Sequence, residues 1–259
     1  MYFARMHQER SYVLALENAG TVDGLYIGEG EDVLSFRQYK QYLLLGGQAH
    51  RTGENREGGR YEKLKEAAGK MYPQSRIAAC WSAQDCMTTD CVPFIGPYAA
   101  DRPDWYVATG FCKWGMSSAM VSAMLLKDMI CGINNPYTEV FAPSRFSGEE
   151  IPQLLEDTGK SVKGLTKRFF HMPQETVDEL PRGHGGVIDT SQGKTGVYKT
   201  EDGQLFQVDI VCPHMGCELT WNPDERSWDC PCHGSRFDYK GNRIDGPAEE
   251  GIALESSPE

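Results

Sequence analysis

The sequence predicts an α+β fold in two unlike parts: a mixed α/β domain over 1–147 and a small all-β domain, an antiparallel sandwich with long loops, over 180–259, joined by a helical linker over 148–179. Three patterns carry this division. In the first part, short apolar runs alternate with turn residues and are followed by a helix-period segment. A mixed-charge stretch from Gly148 to His171 then spaces Ile151, Leu154, Leu155, Val162 and Leu165 as a connecting helix would. From Gly183 onward, glycines punctuate short strands every few residues, the rhythm of a small β domain whose loops carry function.

The runs Tyr12 to Leu16, Leu25 to Ile27 and Tyr42 to Leu45, the last entering Gly46 and Gly47, read as strands of one antiparallel or mixed sheet. Tyr61, Leu64 and Ala68 share one face of a helix over 61–71. After Pro93, Ile95 and Gly96, a strand over 105–108 leads through Thr109-Gly110 into a long helix beginning near Trp114. A strand, glycine turn and helix in that order can approach a ligand phosphate. The stretch from Trp114 to Ile130 is the longest apolar run, yet it carries Lys127 and Asp128 and is short for a bilayer, so it is expected to be a buried helix. In the second part, 197–199 and 205–211 read as strands.

A net charge of -11 leaves no basic stripe, which argues against nucleic acid and anionic membrane surfaces as partners. From Pro181 onward there are 14 acidic against 7 basic residues, suited to docking on a positively charged redox partner or simply to solubility. The N-terminus lacks the regions of a secretory signal, and a cytoplasmic protein is the expectation.

The nine cysteines fall into two groups. Cys80, Cys86, Cys91, Cys112 and Cys131 lie among apolar residues without ligand-like spacing and are expected to be free, buried thiols. Cys212-Pro213-His214-Met215-Gly216-Cys217 and Cys230-Pro231-Cys232-His233-Gly234-Ser235 instead present a C-x-H and a C-x-x-H loop. Facing each other, they can give one iron of a [2Fe-2S] cluster two thiolates (Cys212, Cys230) and the other two imidazoles (His214, His233), which raises the reduction potential above that of an all-cysteine cluster. A Cys₂His₂ zinc site is the alternative the same ligands permit, but it leaves Cys217 and Cys232 without a role.

These two loops resemble those of Rieske proteins, of the disulfide-containing type found in cytochrome bc complexes, over about Leu180 to Leu254. The resemblance implies a Cys217–Cys232 disulfide tying the loops together and a Ser235 hydroxyl bonded to a bridging sulfide. The family's tyrosine two residues further on is Phe237 here, so that hydroxyl is absent. Gly246-Pro247-Ala248 resembles the proline loop that covers the cluster.

In the first part, Phe36-Arg37, Leu44 to Gly47, Trp81-Ser82-Ala83-Gln84-Asp85, Asp90, Pro93, Ile95-Gly96, Ala108 to Phe111 and Trp114-Gly115-Met116 resemble the C-terminal half of FAD-dependent oxidoreductases of the D-amino-acid oxidase type. In particular they resemble bacterial versions that carry a Rieske domain at their C-terminus. The resemblance implies that the sheet shapes a substrate pocket and that Thr109, Gly110, Trp114, Gly115 and Met116 lie near FAD. Ordinary core packing would also account for Trp114 and Met116. The G-x-G-x-x-G turn that opens such enzymes is missing: neither Gly28-Glu29-Gly30 nor Gly183-His184-Gly185-Gly186 fits it. Met1 is therefore expected to be an internal methionine of a longer protein, with FAD bound only when that segment is present.

The functional expectation is electron transfer within a flavin and Rieske oxidoreductase, with a redox protein or small molecule as partner. The alternatives are a stand-alone Rieske carrier with a non-catalytic docking domain and a metal that merely staples the fold. No catalytic residue is identified; Arg37 and Arg51 are candidates either for clamping a substrate carboxylate or for the surface.

Overall fold

The computed structural model describes residues 2–30, 33–146, 155, 159, 176–190 and 193–254. Two compact units are present: residues 1–9 with 85–162, and residues 10–84 with 163–259. The predicted linker over 148–179 lies almost wholly outside the described residues. Among the described residues no helix is long and apolar enough to cross a membrane.

Residues 10–84 hold most of a five-stranded sheet of order β2-β3-β4-β1-β5, built from β1 (Met6–Glu17), β2 (Leu25–Ile27), β3 (Ser35–Tyr39), β4 (Tyr42–Arg51) and β5 (Arg76–Thr88). Tyr12, Leu14 and Leu16 alternate inward on β1, as do Leu43 and Leu45 on β4, the period of a half-buried strand. Helix α1 (Arg60–Met71) closes this core with Leu64 and Ala68, one turn apart on the predicted face. Strand β5 was not legible, because Arg76 to Thr88 mixes small, polar and apolar residues without alternation.

The other unit contains the hairpin β6 (Phe94–Ala99) and β7 (Arg102–Thr109), then α2 (Gly115–Ile130) and the short α3 (Thr138–Phe141). Arg145 pins the segment before β6: it pairs with both Asp90 oxygens at 2.9 Å and stands 4.1 Å above the Phe94 ring. The expectation that α2 is buried is corrected. Ser118, Ser122 and Leu125 face inward, while Trp114, Met116, Met120 and Met124 are exposed. An apolar helix with small residues on one side packs closely by that side and leaves the bulky one outside. The scattered cysteines are free as expected, but only Cys112 is buried; Cys80, Cys91 and Cys131 are exposed.

The C-terminal part is a β sandwich. One sheet has order β10-β9-β8, from β8 (His184–Thr190), β9 (Gly193–Lys199) and β10 (Leu205–Asp209); the other runs β11 (Thr220–Asn222), β12 (Ser227–Asp229), β13 (Arg236–Asp238) and β14 (Arg243–Asp245). All the neighbours are antiparallel. Tyr198 and Val208 from one sheet meet Trp221, Trp228 and Phe237 from the other in a core that extends to four cysteines.

Candidate metal centre

Both cysteine loops are the same turn. Each opens Cys-Pro, the proline fixing φ where the chain begins to reverse. In the first, Gly216 N donates to Cys212 O at 2.8 Å and Cys212 N to Cys217 O at 2.9 Å; in the second, Gly234 N donates to Cys230 O at 3.0 Å and Cys230 N to Ser235 O at 2.8 Å. The fifth residue must adopt a left-handed conformation, and Gly216 (φ 76°) and Gly234 (φ 81°) supply it. Cys217 and Ser235 thus occupy equivalent places in the two turns.

The turns bring the predicted residues together. The rings of His214 and His233 stand perpendicular with centroids 4.9 Å apart. Cys212 and Cys230 are buried and free, whereas Cys217 and Cys232 form the expected disulfide. The sulfurs of Cys217, Cys230 and Cys232 also lie within 4.8 Å of one another, but the two in the disulfide cannot act as thiolates.

Interaction with the Cys230 thiol, and then the amides of His214 and Met215 and the Ser235 hydroxyl, outweigh burial and bring the Cys212 thiol down to about 6. The Cys212 interaction and burial push Cys230 upward, against the amides of His233 and Cys232. The backbone amides at both sulfurs favour their negatively charged form. Burial, then His214 and then Arg51, hold His233 below its usual range. Ser235 is fully buried and accepts a hydrogen bond from Ala248 N at 2.9 Å, so the segment resembling a proline loop is tied to the second turn.

Residues 3–129 match the family model of FAD dependent oxidoreductases, and residues 171–256 match that of the Rieske [2Fe-2S] domain. The chain joins a Rieske domain to a segment of an FAD-dependent oxidoreductase. It is 36% identical over 255 residues to the Rieske 2Fe-2S iron-sulfur protein YhfW of Bacillus subtilis (strain 168), covering 96% of this chain and 50% of that protein. The Rieske part is also similar to the cytochrome b6-f complex iron-sulfur subunit of Synechococcus elongatus, at 44% identity over 122 residues, or 46% of this chain and 63% of the subunit. Among solved structures, glycine oxidase from Geobacillus kaustophilus aligns over 56% of this chain and 40% of its own, with 18% identity and a TM-score of 0.43. The chain spans about half the length of YhfW and less than two thirds of the subunit.

A Rieske domain implies a [2Fe-2S] cluster, and the oxidoreductase segment implies FAD. The donor set fits the cluster: two buried free sulfurs with amides aimed at them, two facing imidazoles, and a buried His233 Nδ1 without a hydrogen-bond partner. The flavin-side residues are placed less tellingly. Thr109 ends β7, Gly110 (φ 71°) turns the chain, and Trp114, Gly115 and Met116 open α2 on its exposed side. Arg37 is exposed beside a groove of about 400 Å³ shared with Tyr39, Tyr42 and Trp81, while Arg51 is buried near His233. The polar loop that follows β4 was not singled out in the sequence, since nothing periodic marks it.

Proposed function

We propose that this chain is the electron-transfer portion of a flavin and Rieske oxidoreductase, with Cys212 and Cys230 holding one iron and His214 and His233 the other. When bound, the cluster supplies one-electron transfer and FAD supplies two-electron oxidation of a substrate. The observation that carries the reading is the pair of identical turns, which offer two free sulfurs and two imidazoles while locking the two spare cysteines into a disulfide. In this reading the disulfide and the Ala248–Ser235 bond keep the loops closed and water away from the sulfurs, and exposed His214 faces the redox partner. The acidic surface of residues 180–259 selects a partner with a basic face. Thr109, Gly110, Trp114, Gly115 and Met116 are the residues proposed to lie against the flavin, residues 1–147 forming the flavoprotein segment and 148–179 the link.

Aerobically purified protein is expected to be red-brown, to contain iron and acid-labile sulfide in equal amounts, and to give a rhombic EPR signal on reduction. Stoichiometric zinc without labile sulfide would sink the assignment and favour the Cys₂His₂ alternative.

A further inference from the structure

In the unit formed by residues 10–84 and 163–259, the second cysteine turn is gripped by the oxidoreductase segment. The loop after β4 runs Arg51-Thr52-Gly53-Glu54-Asn55, and Arg51, Thr52 and Asn55 are buried although polar. Gly53 (φ 83°) approaches so closely that a Cβ there would lie 2.7 Å from Pro231 N and Cα. Beside it, the Thr52 hydroxyl donates to Gln84 Oε1 at 2.8 Å, and Gln84 Nε2 donates to Gly234 O at 2.9 Å. The hydroxyl can give its proton to the amide oxygen, which leaves the amide nitrogen for the carbonyl, so the relay has one sense. Gly234 lies between His233 and Ser235, and the fully buried Ser235 hydroxyl accepts from Ala248 N at 2.9 Å. A second anchor holds the same unit: Asn55 Nδ2 donates to Asn222 Oδ1 at 3.0 Å and to Asp224 Oδ2 at 2.8 Å.

We propose that Thr52 and Gln84 are positioning residues of the metal centre: the Thr52–Gln84–Gly234 relay holds the second turn and, through the peptides on either side of Gly234, keeps His233 and the Ser235 hydroxyl in place. This rests on the assignment of Cys212, His214, Cys230 and His233 as ligands. Breaking the relay leaves the Gly234 carbonyl without its donor, and the turn shifts to find another. A hydroxyl hydrogen-bonded to a cluster sulfur stabilises the reduced, more negative cluster more than the oxidised one. Loss of the relay therefore lowers the midpoint potential, although neither residue touches the cluster.

The test uses the full chain, with iron and labile sulfide measured first and then film voltammetry and EPR of Thr52→Val, Thr52→Ser and Gln84→Met. Thr52→Val and Gln84→Met are expected to shift the one-electron reduction equilibrium about tenfold toward the oxidised form, roughly 59 mV lower, with altered EPR rhombicity. Thr52→Ser keeps the hydroxyl and is expected to stay at the wild-type midpoint. Midpoints that are unchanged or raised in Thr52→Val protein with full cluster content overturn the proposal. If Gln84→Met fails to retain the cluster, Thr52→Val still decides, since Gln84 remains in place. Wild-type protein lacking labile sulfide would instead overturn the ligand assignment, and the positioning role with it.

Discussion

Four cysteines in two matching turns meet two fates, and the residue at the fifth step past the first cysteine separates them. In the first turn that residue is Cys217, which bonds to Cys232; in the second it is Ser235, whose buried hydroxyl accepts from Ala248 N. Removing that hydroxyl should destabilise the reduced cluster by about 1 to 2 kcal/mol, the difference a single charge-assisted hydrogen bond makes. Ser235→Ala is therefore expected to lower the one-electron midpoint by roughly 45 to 90 mV at unchanged iron content. Phe237 is fully buried in the core that contains Cys212 and Cys230. Phe237→Tyr is expected to raise the midpoint by a similar amount through a new bond to a ligand sulfur. A midpoint that is unchanged or lowered in fully loaded Phe237→Tyr protein would remove residue 237 from the surroundings of the cluster.

At the scale of elements, α1 is capped from outside its own sequence. Its N-cap, Gly59, has no side chain to offer, and Asp224 from the β11–β12 turn accepts from Gly59 N at 3.2 Å and Arg60 N at 3.1 Å. A carboxylate there satisfies two free amides and complements the helix dipole. Asp224→Ala is expected to cost about 1 to 2 kcal/mol in urea unfolding and to speed amide exchange at Gly59 and Arg60. The unit of residues 1–9 and 85–162 has its own charged pin. Burial alone would raise the Asp90 carboxyl, but the Arg145 and Val92 hydrogen bonds win and hold it below the usual carboxylate range. A depressed folded pKa contributes stability that is present above the unfolded value and lost as pH falls through the folded one. Exchange protection in 90–145 should therefore fall as the pH drops from the ordinary carboxylate range through the lower one that Arg145 gives Asp90. Arg145→Met should flatten that dependence, and an unaltered acid profile in the variant would exclude the pair as its source.

At the scale of the molecule, the Rieske domain is not merely strung after the oxidoreductase segment. Bonds such as Gln84–Gly234 and Asn55–Asp224 join residues 150 and 169 positions apart within one compact unit. The buried Arg10 on β1 and Arg236 on β13 share the partly exposed Glu225 and Asp245, so the desolvation of the two guanidinium groups is offset by two carboxylates. FAD is expected to bind residues 1–259 only weakly, since no G-x-G-x-x-G turn within them can hold a pyrophosphate on a helix N-terminus. Retention of stoichiometric FAD through gel filtration of this chain would refute that expectation.

Local chemistry made the cysteine turns readable: proline at the second place and glycine at the fifth are demanded by the turn itself, and the ligand types follow from the metal. Periodicity did the same for β1, β4 and the Leu64–Ala68 face of α1, where the buried side chains fall on one face of the element. Strand β5 and the glycine-rich β8 carry no such pattern, and only their pairing with neighbouring strands reveals them. The exposed side of α2 was unreadable for a related reason, because an apolar helix does not say which of its faces finds a partner. Least legible was the contact of Thr52, Gly53 and Gln84 with the second turn. Those residues are polar or small, so they enter the core for hydrogen bonds and close approach to a chain segment far along the sequence, and only the tertiary fold brings that segment to them.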